Sequence, residues 1–151
     1  MTIKQSQIGF ANDHAGYELK QKLITYVKDK MGLPITDYGT DNKVPVDYPD
    51  FCKKLITGIE SNIINFGILI CGSGIGMSIC ANRSKFARAA LCYNEELAKL
   101  AREHNNANIL VLGARFVLLQ NTKKIVRAFL TAEFQGGRHL TRLQKFNEET
   151  Y

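Results

Sequence analysis

No apolar run in the chain is long enough for a membrane helix: the stretches around Ile68 to Cys71 and Ile109 to Leu112 fall far short of the ~20 residues needed to cross a bilayer. There is no C-x-x-C pair, and Cys52, Cys71, Cys80 and Cys92 have no histidine at ligand spacing, so no metal site is expected. A chain of 151 residues also buries enough surface to hold a core without disulfide staples. The first residues do not read as a signal peptide, and a reducing, cytoplasmic setting is expected. Block charge is missing too. The 20 Lys and Arg exceed the 14 Asp and Glu by six, but they are scattered rather than interleaved with aromatics. That pattern argues against nucleic acid and suits a small anionic substrate equally well. No repeat, low-complexity tract or long linker divides the sequence, so one domain over residues 1–151 is expected.

What is present is alternation. Short runs rich in Ile, Val and Phe at Ile8 to Ala11, Pro34 to Tyr38, Phe66 to Cys71, Ala87 to Cys92 and Ile109 to Leu112 read as five strands, each followed by a segment of helical period. Leu19, Leu23, Ile24 and Val27 form one apolar stripe, and Phe51, Leu55, Ile56 and Ile59 a second. Leu97, Leu100 and Ala101 form a third behind an Asn94 cap, and Ile125, Val126, Phe129 and Leu130 a fourth. Such repeated β-α units predict a three-layer α/β/α sandwich, Rossmann-like, around a five-stranded parallel sheet. After Phe134 the chain passes through Gly136 and Gly137 into a short polar helical tail that is expected to dock on the body.

Ligands of open α/β sheets bind at the carboxyl ends of the strands, which directs attention to the residues just after each one. These are Asn12-Asp13-His14-Ala15-Gly16, the loop with Asp47-Tyr48-Pro49, Cys71-Gly72-Ser73-Gly74-Ile75-Gly76, and Gly113-Ala114-Arg115. The glycine loop allows close approach of backbone N–H groups to an anion. It is no dinucleotide fingerprint, because Met77 stands at the third glycine position, and it has no P-loop lysine. A cysteine at the mouth of such a loop has its thiolate stabilised by those N–H groups and becomes a usable base, whereas Cys52, Cys80 and Cys92 read as inert, buried thiols.

Six segments carry a specific resemblance: Asp13-His14-Ala15-Gly16, Asp47-Tyr48-Pro49, Cys71 to Gly76, His104-Asn105-Asn106-Ala107-Asn108, Gly113-Ala114-Arg115 and Gly136-Gly137-Arg138-His139. In order and spacing, from about Ile8 to Arg142, the chain resembles the type B ribose-5-phosphate isomerases. The resemblance implies interconversion of ribose 5-phosphate and ribulose 5-phosphate in the pentose phosphate pathway, without metal or organic cofactor. It implies that Cys71 shuttles a proton between C1 and C2, while Ser73 and the amides of Gly72, Gly74, Ile75 and Gly76 hold the enediolate. Members often carry Thr where this chain has Ser73, which keeps the hydroxyl. Some relatives place a glutamate base at the position of Ile75; an isoleucine cannot act so, which returns the role to Cys71.

By the same resemblance His104 opens the furanose ring, Asn105 contacts sugar hydroxyls, and His14 and Arg115 contact phosphate or substrate. Asp13 is expected to hydrogen-bond the sugar and Tyr48 to line the pocket, although either also fits a structural role. Arg138 and Arg142, four apart on a helix, suit the grip on a phosphate; His139 has no assigned role. His104 precedes the fifth strand and therefore lies toward the amino edge of the sheet, away from Cys71. A homodimer, or a dimer of dimers, with sites shared between subunits is the consequence. Galactose-6-phosphate and allose-6-phosphate isomerases share most of these motifs, and one extra carbon changes selectivity only ~10- to 200-fold. A rival of another class is a non-catalytic protein binding nucleotides or nucleic acid through the glycine loop or the net charge.

Overall fold

The computed structural model describes residues 7–147, so the expectation of one domain from 1 to 151 extends at both ends outside the described residues. Five strands form one parallel sheet in the order β2-β1-β3-β5-β4. They are β1 Ile8–Asn12, β2 Ile35–Asp37, β3 Phe66–Cys71, β4 Ala89–Leu91 and β5 Ile109–Gly113. The helices are α1 Tyr17–Met31, α2 Tyr48–Glu60, α3 Ile75–Ala81, α4 Glu95–Asn105, α5 Leu119–Thr131 and α6 Arg138–Gln144. The α/β/α sandwich with a helical tail is therefore the observed architecture.

β1, β3 and β5 are central and buried on both faces, which is why they read as unbroken apolar runs. The edge strands β2 and β4 are each three residues long, shorter than their apolar runs suggested. Pro34 has no N–H for the ladder and only accepts, its carbonyl taking the Ile8 N–H at 2.9 Å. At β4 the side chains of Asn108 and Asn82 take the N–H groups of Arg88 and Ala89, at 2.8 and 2.9 Å.

Side chains alternate across the sheet. Ile8, Phe10, Ile68, Ile70, Leu110 and Leu112 meet α1, α4 and α5; Ala11, Leu69, Cys71, Ile109 and Val111 meet α2 and α3. The α1, α2 and α5 stripes face inward as expected. In α4 one position differs: Leu97 is exposed, and the buried face is Ala98, Ala101 and Arg102. Asn94 does cap this helix, its Oδ1 accepting the Leu97 N–H at 2.8 Å.

Lys20 ties α1 to the end of β2. Its ammonium is 1% exposed, 2.7 Å from Asp37 Oδ2, and donates to the Thr40 carbonyl at 2.7 Å. Lys20→Met would leave that carbonyl without its donor and Asp37 without its cation. Because Asp37 is partly in solvent, the expected loss is about 1–3 kcal/mol, less than for a fully buried pair. A lower urea midpoint at unchanged m-value would show it; an unchanged or higher midpoint would contradict it.

Candidate active site

The chain reverses direction across the sheet between β1 and β3, and that switch point carries the first group of candidate residues. Asn12 pairs with Ile70, and the Asp13 N–H continues the ladder to the Ile70 carbonyl at 3.2 Å, which brings Asp13 level with Cys71. Asp13 is buried, and its Oδ1 caps the short 3-10 turn His14–Gly16 by accepting the Gly16 N–H at 3.1 Å. His14 is half-buried; its Nδ1 accepts the Val46 N–H at 3.2 Å, which assigns the proton of the neutral ring to Nε2. The loop between β2 and α2 thus orients a side chain at the tip of β1.

Cys71 ends β3 with its side chain toward α2 and α3, 5% exposed. Its Sγ accepts the Gly74 N–H at 3.1 Å. That bond requires the loop to turn through a left-handed residue, and Gly74 supplies it at φ +80. The same bond fixes the sulfur at the mouth of the loop. Burial pushes the Cys52 thiol up, with Cys80 adding to the effect, and raises Cys92 to about 11. These thiols are held in their protonated, unreactive form at neutral pH.

The rest of the loop is braced. Ser73 Oγ accepts the Ile75 N–H at 3.3 Å, and the Ser73 carbonyl accepts the Tyr93 hydroxyl at 3.1 Å. Two of the amides expected to hold an anion, Gly74 and Ile75, are therefore engaged within the loop. Glycines at positions 72 and 76 admit neighbours: a Cβ on Gly72 would lie 3.2 Å from the Arg115 guanidinium carbon, and one on Gly76 2.6 Å from the Tyr48 ring. Arg115 and Tyr48 thus flank the loop, and Arg115 is anchored by its N–H to the Gly72 carbonyl at 3.1 Å. Ile75 is 52% exposed on the outer face of α3.

The second group of residues lies at the other edge. His104 and Asn105 end α4, whose exit leads into β5 at Ile109, opposite Gly67 near the start of β3. From Gly67 to Cys71 the strand runs roughly 13 Å. His104 stacks face to face on His139, ring centroids 4.2 Å apart and 7° from parallel. The Gln135 N–H bonds the Glu103 carbonyl at 3.0 Å, so the helical tail docks on the last turn of α4. Burial holds the His139 pKa below its usual value, and His104, Arg138 and Arg142 lower it further. Arg138 and Arg142 sit exposed on α6. A groove of about 750 Å³ lies between the 82–90 segment, Asn105–Ala107 and the face of α6 that carries Leu140, Leu143 and Gln144, and neither Arg138 nor Arg142 lines it.

The sequence-derived candidates therefore form two clusters. Asp13, His14, Tyr48, Cys71, Ser73, Gly72, Gly74, Ile75, Gly76 and Arg115 gather at the carboxyl edge; His104, Asn105, Arg138 and Arg142 gather at the amino edge. The contacts of Val46, Tyr93 and His139 were not legible from local pattern, because each joins segments far apart in sequence. Among the described residues no cluster of His, Cys, Asp or Glu fits a metal ion, and no helix is long and apolar enough to cross a membrane.

Residues 8–146 match the family model described as Ribose/Galactose Isomerase. A Rickettsia conorii protein assigned provisionally as a sugar phosphate isomerase is 50% identical over 143 residues, 95% of this chain and 99% of that one. Ribose-5-phosphate isomerase B of Escherichia coli is 37% identical over 138 residues, covering 91% and 92% of the two chains. The crystal structure of a ribose 5-phosphate isomerase from Thermotoga maritima superposes with a TM-score of 0.92 at 49% identity, over 95% of this chain and 98% of that one.

Proposed function

The chain belongs to the ribose/galactose isomerase family, and from that premise we propose that it is an aldose-ketose isomerase acting on ribose 5-phosphate and ribulose 5-phosphate. The observation that carries the mechanism is the Gly74 N–H on Cys71 Sγ at 3.1 Å. The sulfur takes the proton from C2 of the open-chain aldose and the electrons pass into an enediolate; the O2 hydroxyl proton passes to O1 as the C2 carbonyl forms, and the sulfur delivers a proton to C1, having exchanged part of it with solvent. As Cys71 becomes a neutral thiol its claim on the Gly74 N–H weakens. That amide and the Ser73 hydroxyl then become available to the developing oxyanion, stabilisation that appears only along the reaction coordinate. The residues act without a metal or organic cofactor in this scheme.

His104 and Asn105 complete the site from a second copy of the chain. Support for a homodimer, alone or paired into a dimer of dimers, comes from the separation of the two clusters and from the apolar surface beside the loop. Ile75 and Ile79 are 52% and 64% exposed on one face of α3, with Phe86 beyond them. Arg138 and Arg142 of one subunit, with His14 and Arg115 of the other, hold the phosphate, and Asp13 and Tyr48 orient the sugar. A reducing, cytoplasmic setting belongs to this reading and is supported by four free thiols.

The substrate is tested by paired assays of ribose 5-phosphate with galactose 6-phosphate and allose 6-phosphate. Preferred turnover of the five-carbon sugar is expected; preference for a six-carbon sugar would overturn the assignment. Arg142→Met removes one charge-assisted contact to phosphate and is expected to lower kcat/KM by about 10- to 100-fold, mainly through KM. A loss confined to kcat would place Arg142 elsewhere in the reaction.

A further inference from the structure

Arg102 is 8% exposed, yet none of the ion pairs among the described residues involves it. Its guanidinium carbon lies 4.7 Å from the centroid of the Phe66 ring and 5.9 Å from that of Phe129, and those rings pack edge to face at 6.2 Å. Nη1 donates to Asn106 Oδ1 at 2.9 Å and to the Ala107 carbonyl at 2.7 Å, while Nε is buried without a partner. Burial lowers the guanidinium pKa, with Arg88 contributing. A buried charge without a counter-ion is a poor stabilising device, and an apolar side chain would fill the same space at less cost. Its contacts instead converge on one place.

That place is the turn directly after His104 and Asn105. Asn106 adopts left-handed geometry at φ 44, and its N–H closes α4 onto the Arg102 carbonyl at 3.1 Å. Arg88 Nε donates to the Asn106 carbonyl at 2.8 Å. The turn is therefore gripped by Arg102 through the Asn106 side chain and the next carbonyl, and by Arg88 through the carbonyl between them. The grip is fastened in turn to the Phe66 and Phe129 rings in the core.

We infer that Arg102 is a positioning residue for ring opening, fixing His104 and Asn105 through Asn106 and Ala107; the inference rests on the site reading above. In water ribose 5-phosphate is held as a furanose. Opening it takes the proton from the C1 hydroxyl and delivers one to the ring oxygen as the C1–O4 bond breaks and the C1 carbonyl forms. Ribulose 5-phosphate, whose O5 is esterified, cannot close a five-membered ring on C2 and arrives open. A displaced His104 therefore burdens turnover from the aldose and spares turnover from the ketose, whereas general loosening of the protein lowers both alike.

The test is kcat in both directions for wild type, Arg102→Met, Asn106→Gly and His104→Ala. Asn106→Gly removes the side-chain acceptor while keeping a residue suited to the left-handed turn, so it carries the test should Arg102→Met fail to fold. The ratio of aldose-direction to ketose-direction kcat is expected to fall at least about 10-fold in Arg102→Met, and in the same sense but less in Asn106→Gly. Equal losses in both directions, or no loss, in a folded variant would overturn the inference. If His104→Ala itself leaves the ratio unchanged, the ring-opening role of His104 has failed; if it lowers the ratio and neither other variant does, the role of Arg102 alone has failed.

Discussion

Cys71→Ala is expected to lower kcat for ribose 5-phosphate by roughly 10²- to 10⁴-fold, the usual contribution of a positioned acid-base group, with KM little changed. The variant should fold, because the sulfur sits at the end of a buried strand and alanine removes a single atom from the edge of the core. Substrate affinity should survive, because the phosphate and sugar contacts assigned to Arg138, Arg142, His14 and Asp13 lie on other elements. Cys71→Ser separates chemistry from shape. It nearly keeps the volume and still offers an atom to the Gly74 N–H, but a hydroxyl is a far weaker acid than a thiol and seldom supplies an anion at neutral pH. Serine should therefore be almost as inactive as alanine. Cys52→Ala and Cys80→Ala should retain most activity, since neither thiol has a part in the proposed transfer. Exchange of solvent deuterium into the sugar gives an independent reading: wild type should show it, and Cys71→Ala should not.

The sheet was legible wherever both faces of a strand are buried. Ile68 to Ile70 and Ile109 to Leu112 are apolar at every position because helices cover both sides, and no loop would carry such a run. The β4 edge strand is shorter than its apolar run because apolar content says nothing about which N–H groups a neighbouring asparagine has taken. In α4 the periodicity favours Leu97, Leu100 and Ala101; the helix does bury Ala101, but with Ala98 and Arg102 in place of Leu97. An arginine on an inward face counts as polar in any pattern, and its burial follows from the Phe66 and Phe129 rings together with its bonds to Asn106 and Ala107. Within the glycine loop Cys71 and Ser73 take the N–H groups of Gly74 and Ile75, a bonding choice that composition does not reveal.

The division of candidate residues between sheet edges followed from chain order alone. His104 precedes β5 and Cys71 ends β3, so a parallel sheet sends them to opposite edges. What chain order did not show is how each cluster is held: His14 by the backbone of Val46, His104 by the ring of His139. Both partners come from segments more than 30 positions away. The stacked pair also fixes the plane of the His104 ring, which restrains its orientation before any substrate arrives.

The account depends on two half-sites that meet only across subunits, and subunit mixing tests it most directly. Cys71→Ala and His104→Ala homodimers are each expected to be poor catalysts from ribose 5-phosphate, for different reasons. In a mixed dimer one site carries both lesions, while the other takes Cys71 from the His104 variant and His104 from the Cys71 variant and is intact. Random reassortment makes half the dimers mixed, each with one good site, so activity should recover to about a quarter of wild type. A mixture no more active than the better parent, after exchange of subunits has been demonstrated by mass, would contradict the shared site and with it the proposed mechanism.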